Sequence, residues 1–289
     1  MSMEGKVVII TGANGGIGFE TTKGLVEQGA HVVMVCRDGG KCDDARRAVE
    51  AAAQGGSLDI LLCDLSSQAD IRRFAEEFKE THDRLDVLFN NAGCVPHDRR
   101  VTVDGIEWQL AVNHLAPFLT THLLMDVLLE STPSQVVTTS SGTHVRGRVD
   151  LDDLQAEGRY RPMGQYSNTK LMNIMFTRSL ARRLEGTGVR ANCLSPGFVD
   201  TGLSRDYGPL MKWVVKRLTL PQEEGGRTPV WVISSPELEG VSGEYFRKMQ
   251  RKGVSKRARD DRVAEALWKE SERLVGLTEE ERAAMPVRP

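Results

Sequence analysis

The sequence lacks three features that would place it in large functional classes. It has no basic excess, since 38 Lys and Arg residues stand against 40 Asp and Glu residues, which argues against a nucleic-acid-binding surface. No apolar run reaches the roughly 18 residues that a membrane-spanning helix needs. The first residues, 1–5, have neither the basic region nor the apolar region of a secretory signal. We therefore expect no nucleic-acid partner, no transmembrane segment and a cytoplasmic protein.

Cysteine is also scarce, with five residues in 289. The number is odd, and the spacings match neither a metal site nor a disulfide framework. Cys36, Cys63 and Cys193 lie in apolar runs, where a free thiol behaves as a small hydrophobic group. The sequence therefore predicts free thiols in a reducing cytoplasm and no bound metal.

The chain shows no proline- or glycine-rich linker and no internal repeat, so we interpret residues 1–289 as one domain. Short apolar runs alternate with longer amphipathic ones, which is typical of β–α–β units. Strands are predicted at 6–10, 31–36, 59–63, 86–89, 135–139 and 189–194, and helices at 16–28, 43–53, 68–81, 102–129 and 163–185. This order predicts an α/β Rossmann fold, in which a doubly wound parallel sheet of about seven strands has helices on both faces.

The last third of the chain has a looser pattern. A helix at 223–234 and a final strand at 243–246 are predicted. The segment 257–282 is highly charged but spaces Val263 and Leu267 at a helical interval. We therefore expect a charged surface helix there.

The turn between the first strand and the first helix is rich in glycine. Its sequence is Thr11-Gly12-Ala13-Asn14-Gly15-Gly16-Ile17-Gly18. Glycines allow a sharp turn and the close approach of a pyrophosphate, to which a helix N-terminus presents unpaired N–H groups. The spacing differs from the commoner G-x-G-x-x-G, but its place between a strand and a helix favours dinucleotide binding. We assign this role to Gly12, Asn14, Gly15, Gly16, Ile17 and Gly18.

The end of the second strand can select the nucleotide. An acid there would bind the adenosine ribose, whereas an arginine would accommodate a 2′-phosphate. Arg37 stands at this point with Lys41 as a helper, which favours NADP(H), while Asp38 keeps NAD(H) open. Asp64, after the third strand, either contacts adenine or begins the next turn.

Tyr166 and Lys170 are four residues apart in a predicted helix and therefore share a face. A free phenol has a pKa of about 10. A nearby ammonium favours the phenolate and lowers that pKa. Such a pair can give a proton to a carbonyl oxygen or take one from an alcohol. Together with the glycine turn, the pair predicts hydride transfer; the alternative is a surface Tyr–Lys pair.

Seven motifs, spread over about residues 6 to 245, occur in an order that resembles the short-chain dehydrogenase/reductase superfamily. They are Thr11-Gly12-x-x-x-Gly16-x-Gly18, Asp64-Leu65, Asn90-Asn91-Ala92-Gly93, Asn113, Ser140-Ser141, Tyr166-x-x-x-Lys170 and Pro196-Gly197-x-Val199-x-Thr201. The resemblance implies a role for each of them.

By this resemblance Tyr166 would be the catalytic acid/base. Lys170 would hold the nicotinamide ribose and lower the pKa of the tyrosine. Ser141 would bond the substrate oxygen, with Ser140 as its competitor, and Asn113 would sustain a water relay to Lys170. Further cofactor contacts would come from Asp64, Leu65, Asn91, Ala92, Gly93, Pro196, Gly197, Val199 and Thr201.

A narrower set of matches is similar to the retinol dehydrogenase-like branch. It includes Cys36-Arg37-Asp38, Asn113-His114-Leu115 and Leu267-Trp268-x-x-Ser271-Glu272. The long insertion between Ser141 and Tyr166 is typical of that branch and of carbonyl reductases. Membrane-bound members of the branch have a hydrophobic anchor that this sequence does not show, so we expect a substrate other than a retinoid.

The resemblance implies an oxidoreductase that interconverts a carbonyl and an alcohol. Arg37 favours NADP(H) as its cofactor, and apolar residues of the predicted substrate loop, such as Leu203 and Trp213, favour an apolar or amphiphilic small molecule. A substrate loop is predicted at 202–222, where the helix 210–218 is a lid, a packing element or a membrane-touching element. A homodimer or tetramer is expected, with a monomer open, because apolar residues around Leu119 and Met172 could serve a core or an interface. The alternative is a non-catalytic NADP-binding regulatory protein on the same fold.

Overall fold

The fold is organised around one β-sheet. A computed structural model describes residues 2–197 and 222–286, and within them the sheet has eight strands. The strands are β1 Val7–Thr11, β2 His31–Cys36, β3 Ser57–Leu62, β4 Val87–Asn90, β5 Ser134–Thr139, β6 Val189–Ser195, β7 Tyr245–Arg247 and β8 Gln250–Lys252. Their order is β3-β2-β1-β4-β5-β6-β7-β8, and every pair is parallel except β7–β8. The predicted doubly wound α/β fold is confirmed.

Helices cover both faces of this sheet. They are α1 Gly16–Val26, α2 Gly39–Ala52, α3 Gln68–Thr81, α4 Trp108–Leu110, α5 Ala116–Leu123, α6 Met125–Glu130, α7 Pro162–Arg183, α8 Gln222–Ser234, α9 Asp261–Leu274 and α10 Glu279–Ala283. A π-helical turn at Ala111–Leu115 joins α4 to α5, and a 3₁₀ turn at Gly142–Arg146 follows β5. Among the described residues, every helix is too short or too polar to cross a bilayer.

The sheet separates two apolar cores, because alternate strand residues point to opposite faces. In β1, Ile9 packs into the core under α3, α5, α7 and α9, whereas Val8 and Ile10 pack into the core under α1, α2 and α8. Leu119 and Met172 are 0% and 1% exposed within the first core, so both serve the core and not an interface. Burial on both faces explains why the strands are visible in the sequence as continuous apolar runs.

The helix predicted at 102–129 is wrong in its first part and is interrupted further on. The chain makes a turn up to Ile106, and α4 begins only after Glu107, whose carboxylate accepts hydrogen bonds from the N–H groups of Gln109 and Leu110. The π-helical turn then precedes Pro117, which has no N–H for a regular helical bond. A side-chain cap and a proline therefore set these boundaries, and the apolar pattern does not reveal them.

The charged C-terminal segment forms two helices, not one, and it joins the core. Gly276, at a φ of 59°, lies between α9 and α10. Leu267 and Trp268 are buried, and the guanidinium carbon of Arg183 lies 3.9 Å from the centre of the Trp268 ring. His114, from the π-helical turn, approaches α9 with Nε2 3.0 Å from the hydroxyl of Ser271. The predicted surface helix is thus a packed wall of the first core.

The strand β8 was not expected. Its three residues are all exposed, so no apolar alternation marks it in the sequence. It follows a tight turn in which Lys248 and Met249 both have a φ of 53°, as two-residue hairpin turns require. The eighth strand thus pairs antiparallel with β7 at the edge of the sheet.

Cys36 and Cys42 form a disulfide, with their Cα atoms 6.1 Å apart. The prediction that all five cysteines are free is therefore wrong. Cys36 ends β2, and the turn into α2 brings Cys42 back against it, a proximity that a spacing of six residues does not signal. Cys63, Cys94 and Cys193 are free.

Candidate active site

The predicted site residues come together at the carboxyl-terminal edge of the sheet, where ligands bind in open α/β folds. They are Gly12, Asn14, Gly15, Gly16, Ile17 and Gly18 after β1, Arg37 after β2, Asp64 and Leu65 after β3, Asn91, Ala92 and Gly93 after β4, Ser141 after β5, and Pro196 and Gly197 after β6. Asn113 reaches this edge from the π-helical turn, and Tyr166 and Lys170 reach it from α7. Val199, Thr201 and the predicted loop 202–222, apart from residue 222, lie outside the described residues.

The glycine turn leaves room for phosphates at the start of α1. A methyl group at Gly18 would lie 2.2 Å from the carbonyl oxygen of Gly12, so only glycine lets the helix start this close to the turn. Gly15, at the N-cap, provides no side-chain hydrogen bond to the helix. The first N–H groups of α1 therefore have no side-chain cap and can bind a pyrophosphate.

The segment after β4 is tied to the glycine turn through Thr11. The side-chain amide of Asn91 donates to the carbonyl oxygen of Thr11 at 2.9 Å. The backbone N–H groups of Asn91 and Ala92 donate to the Thr11 hydroxyl at 2.9 and 3.0 Å. The glycine motif includes Thr11, but the sequence alone predicts no role for it. It fixes the turn against the strand beside it.

The two charged residues after β2 are used differently. Asp38 caps α2 by accepting from the N–H of Lys41 at 3.1 Å, and it pairs with the Lys41 ammonium at 3.0 Å. The backbone hydrogen bond is the main cause that lowers the pKa of Asp38. Arg37 is exposed and has no hydrogen-bond or ion-pair partner within the described part of the chain. Because the Arg37 guanidinium is free and the Asp38 carboxylate is already bonded to Lys41, this turn fits a phosphate better than a ribose hydroxyl.

Asp64 begins the turn into α3, which was one of its two predicted roles. One carboxylate oxygen accepts from the N–H of Ser66 at 3.0 Å and from the Ser66 hydroxyl at 2.7 Å. Leu65 packs against the first core. A contact between Asp64 and adenine stays a prediction.

Tyr166, Ser141 and Lys170 form the centre of the site. The Ser141 hydroxyl lies near the phenol of Tyr166, close enough to lower its pKa. The Nζ atom of Lys170 lies 5.4 Å from the centre of the Tyr166 ring and donates to the carbonyl oxygen of Thr139 at 3.0 Å. Lys170 is only 2% exposed. The arrangement places one hydroxyl pair next to one buried amine.

Burial is the main cause of the pKa shifts of Tyr166 and Lys170. Although part of the Tyr166 side chain reaches the surface, burial of its hydroxyl raises its pKa to about 12, while the hydrogen bond with Ser141 acts in the opposite direction. Burial lowers the pKa of Lys170 to about 8, because the ammonium loses its hydration. The net direction for Tyr166 is thus opposite to the one expected from a neighbouring ammonium alone.

The adjacent serines have separate roles. Ser140 is buried, and its hydroxyl donates to the carbonyl oxygen of Lys170 at 2.7 Å, so it anchors α7 to the end of β5. Ser141 is the serine that meets Tyr166. His144 is also buried, and its Nδ1 lies 2.8 Å from the carbonyl oxygen of Ser141. From the sequence, His144 could line the substrate pocket or lie at the surface; it is buried and holds the backbone of the Ser141 turn.

Asn113 is held on both its side chain and its backbone. Its amide accepts from the N–H of Cys94 at 2.8 Å and donates to the Cys94 carbonyl at 3.0 Å. The Asn113 carbonyl would bond the N–H four residues later in a regular helix, but that residue is Pro117. The side chain of Asn173 supplies the donor instead, at 2.8 Å. Asn113 thus joins the segment after β4 to α7.

Gly93 lies where these groups converge. A methyl group at this position would be 3.3 Å from Asn113 Oδ1 and 3.4 Å from Lys170 Nζ. The predicted catalytic residues Asn113 and Lys170 therefore border the same small space at the edge of the sheet.

A cleft of about 850 Å³ opens at the opposite, amino-terminal edge of the sheet and is lined by Lys6, Gln135 and Arg178 among others. Its described lining includes none of the predicted site residues. We place the active site at the carboxyl-terminal edge, because the acid/base pair and the glycine turn are there.

Both the sequence and the fold are similar to those of known proteins. The family model described as short chain dehydrogenase matches residues 6–210. Retinol dehydrogenase 14 of Homo sapiens is 42% identical over 294 residues, covering 95% of this chain and 88% of that protein. A crystal structure of an uncharacterized protein from Mycobacterium Paratuberculosis is 34% identical, with a TM-score of 0.79 and 95% of both chains covered.

The RhlG/NADP active-site complex from Pseudomonas aeruginosa has the same fold at 24% identity, with a TM-score of 0.70 over 85% of this chain and 95% of that chain. The chain thus belongs to the short-chain dehydrogenase/reductase family, whose members act on alcohol and carbonyl groups. Within that family it is an enzyme of the retinol dehydrogenase-like branch.

Proposed function

We propose that this enzyme is NADP(H)-dependent and interconverts a carbonyl and an alcohol on an apolar or amphiphilic small molecule, with Tyr166 as the acid/base. One observation carries the proposal: the phenol of Tyr166 lies beside Ser141, and the buried amine of Lys170 lies 5.4 Å from the centre of its ring. Apolar residues of the predicted substrate loop, among them Leu203, Leu210 and Trp213, support an apolar substrate.

In the proposed reduction, each residue of the centre has a separate task. The bound nicotinamide supplies the hydride. Tyr166 gives its proton to the carbonyl oxygen, and Ser141 donates a hydrogen bond to that oxygen and stabilises the negative charge that develops on it. The Lys170 ammonium stabilises the phenolate that remains on Tyr166. In alcohol oxidation the same groups work in reverse.

The choice of NADP(H) is supported by the turn after β2. Arg37 offers a free, planar guanidinium, which suits a phosphate. Asp38, the residue that could instead bind a ribose hydroxyl, is bonded to Lys41 and to the start of α2. A 2′-phosphate would therefore find a donor at this position, whereas a ribose hydroxyl would compete with an existing cap.

A nucleotide-consumption screen tests the proposed function. NADPH and NADH are each offered with medium-chain and aromatic aldehydes, steroid ketones, quinones and all-trans-retinal. The last compound is included because relatives are named retinol dehydrogenases. We expect turnover of apolar carbonyls, with kcat/KM at least about 10-fold higher with NADPH, the size of one hydrogen bond to a charged group.

Two results of the screen would contradict the proposal. Nucleotide binding without turnover of any carbonyl would favour the non-catalytic regulatory protein. Equal use of NADPH and NADH would overturn the assignment of the cofactor. A short polar aldehyde such as glyceraldehyde serves as the control for the preference for apolar substrates.

The pH profile should report on Lys170. Because burial lowers its pKa to about 8, the ammonium is present below that pH and is lost as the pH rises through it. Loss of this charge removes the stabilisation of the Tyr166 phenolate. We therefore expect kcat/KM for carbonyl reduction to be level up to about pH 8 and then to fall.

Neighbouring titratable groups should not cause a fall of kcat/KM near pH 8. Burial raises the pKa of Cys94 to about 12 and lowers the pKa of His144, so neither thiol nor imidazole loses a proton near pH 8. Thermal melts at each pH would identify any unfolding. A profile that stays level through pH 9.5 in folded protein would contradict the role of Lys170.

A cytoplasmic location and a homodimer or tetramer remain predictions from the sequence. In a reducing compartment the Cys36–Cys42 pair would exchange with its dithiol form, since cytosolic disulfides are seldom permanent. Cell fractionation tests the location, and light scattering on purified protein tests the oligomeric state.

A further inference from the structure

Three potential metal ligands meet at the amino-terminal edge of the sheet. His31 begins β2, Asp59 lies on the neighbouring strand β3, and His82 directly follows α3. The Nε2 atoms of His31 and His82 are 3.2 Å apart. The Asp59 Oδ2 atom lies 3.4 Å from the first and 3.3 Å from the second. The active site lies at the other edge of the sheet, so this cluster is separate from it.

The three ligand atoms form a triangle of the same size as one face of the tetrahedron of ligand atoms around a zinc ion. Zinc binds imidazole nitrogen and carboxylate oxygen at about 2.0 to 2.2 Å, so neighbouring ligand atoms in a tetrahedral site are about 3.3 to 3.5 Å apart. The three observed edges lie at or close to this range. An ion within bonding distance of all three atoms would sit just outside their plane. The fourth position then faces away from the triangle and is open to water.

The contacts of His82 allow its Nε2 atom to bind a metal. The hydroxyl of Thr81 donates to the carbonyl oxygen of Glu77 at 2.8 Å, and its oxygen, 2.8 Å from His82 Nδ1, can accept the Nδ1 proton. In that tautomer of the neutral ring, Nε2 carries the lone pair. The His82 ring is also stacked on Phe78, with ring centres 4.7 Å apart. The ring of His82 is therefore held in a fixed orientation.

His31 has a matching support. Its Nδ1 lies 2.7 Å from the hydroxyl of Ser57, which can accept the Nδ1 proton and leave Nε2 free for a metal. The side chain of Asp59 is 54% exposed, which gives an ion a path from solvent.

We propose that His31, Asp59 and His82 form a zinc-binding site with water as the fourth ligand. Two imidazoles and one carboxylate suit Zn²⁺, whereas Mg²⁺ and Ca²⁺ prefer oxygen ligands. The ligands come from positions 31, 59 and 82, which no short motif connects, so sequence spacing could not reveal the site. The ion would join β2, the edge strand β3 and the end of α3, and its role is to stabilise this corner of the fold.

Direct metal binding tests the proposal. Tag-free protein with the Cys36–Cys42 disulfide intact is titrated with Zn²⁺ by calorimetry. We expect one ion per chain, a higher melting temperature in Zn²⁺ and reversal by EDTA. Co²⁺ as a probe should give the visible absorption of a four-coordinate ion. His82→Gln and Asp59→Asn should each weaken Zn²⁺ binding by at least about 10-fold and remove the Co²⁺ absorption.

A matched control is available in His97. Its side chain is exposed, and its Nδ1 lies 3.1 Å from the carboxylate of Asp98. His97→Gln should leave Zn²⁺ binding and the Co²⁺ spectrum unchanged. Should His82→Gln fail to fold, the half-exposed Asp59 still provides a conservative variant. Equal Zn²⁺ affinity in wild type and Asp59→Asn, or no four-coordinate Co²⁺ spectrum, would overturn the proposal and leave a hydrogen-bonded histidine pair only.

Discussion

Replacing Tyr166 with Phe should lower kcat for carbonyl reduction by about 10²- to 10⁴-fold, the range of a lost general acid. The phenyl ring can keep its place near the Lys170 amine, and only the hydroxyl beside Ser141 is removed. The free energy of unfolding should therefore change by no more than about 1 kcal/mol. Steady-state kinetics, nucleotide binding and thermal melts on the same preparation would separate chemistry from folding.

Tyr160→Phe is the matched control for this variant. The Tyr160 hydroxyl donates to the carbonyl oxygen of Pro96 at 2.9 Å and accepts from Gln109 at 2.8 Å. The substitution removes a hydrogen-bonded phenol outside the acid/base pair, so kcat should change by only a few-fold. If Tyr166→Phe kept wild-type turnover, or lost no more than Tyr160→Phe, the proposed proton donor would be wrong.

Arg37→Ala should weaken NADPH binding by roughly 10- to 100-fold, because one hydrogen bond to a charged group contributes about 1.5 to 3 kcal/mol. NADH has no 2′-phosphate, and its affinity should stay within a few-fold of wild type. The Arg37 side chain has no hydrogen-bond or ion-pair partner among the described residues, so its removal should leave the melting temperature unchanged. Dissociation constants for both nucleotides, measured by fluorescence or calorimetry, provide the comparison.

Arg47→Ala controls for the general loss of positive charge on this side of the molecule. Arg47 is an exposed arginine of α2 whose guanidinium pairs with Asp44 at 2.5 Å. We expect it to affect NADPH and NADH equally and weakly. An equal loss of NADPH affinity in both arginine variants would point to long-range charge and would remove Arg37 from the phosphate site.

Much of the sheet and of the site could be predicted from the sequence. Strand β2 and helix α3 have the bounds that were expected, because a buried apolar run and a Ser67 N-cap mark them clearly. The position of the active site at the carboxyl-terminal edge of the sheet follows from the topology, since motifs that come after parallel strands must meet at that edge. The pair Tyr166 and Lys170 needed only the helical interval to share a face.

Other features depend on contacts between distant parts of the chain. The π-helical turn depends on Pro117 and on a donor from Asn173, and neither has a periodic signal. The pKa of Tyr166 depends on how deeply its hydroxyl is desolvated, which a spacing of residues does not encode. The disulfide arises from the way one turn folds back, and the histidine cluster from the register of β2 and β3 with the end of α3.

The contact between α9 and His114 extends further into the molecule. The other ring nitrogen of His114 lies 3.2 Å from the side-chain oxygen of Asn173, whose amide nitrogen bonds the Asn113 backbone. A relay of four polar residues thus runs from Ser271 to Asn113. A deletion that ends the protein before residue 261 would remove the Ser271 partner of His114 and uncover the apolar flank of α7. The C-terminal segment is therefore part of the structure that supports the active site, and its deletion should disturb that site.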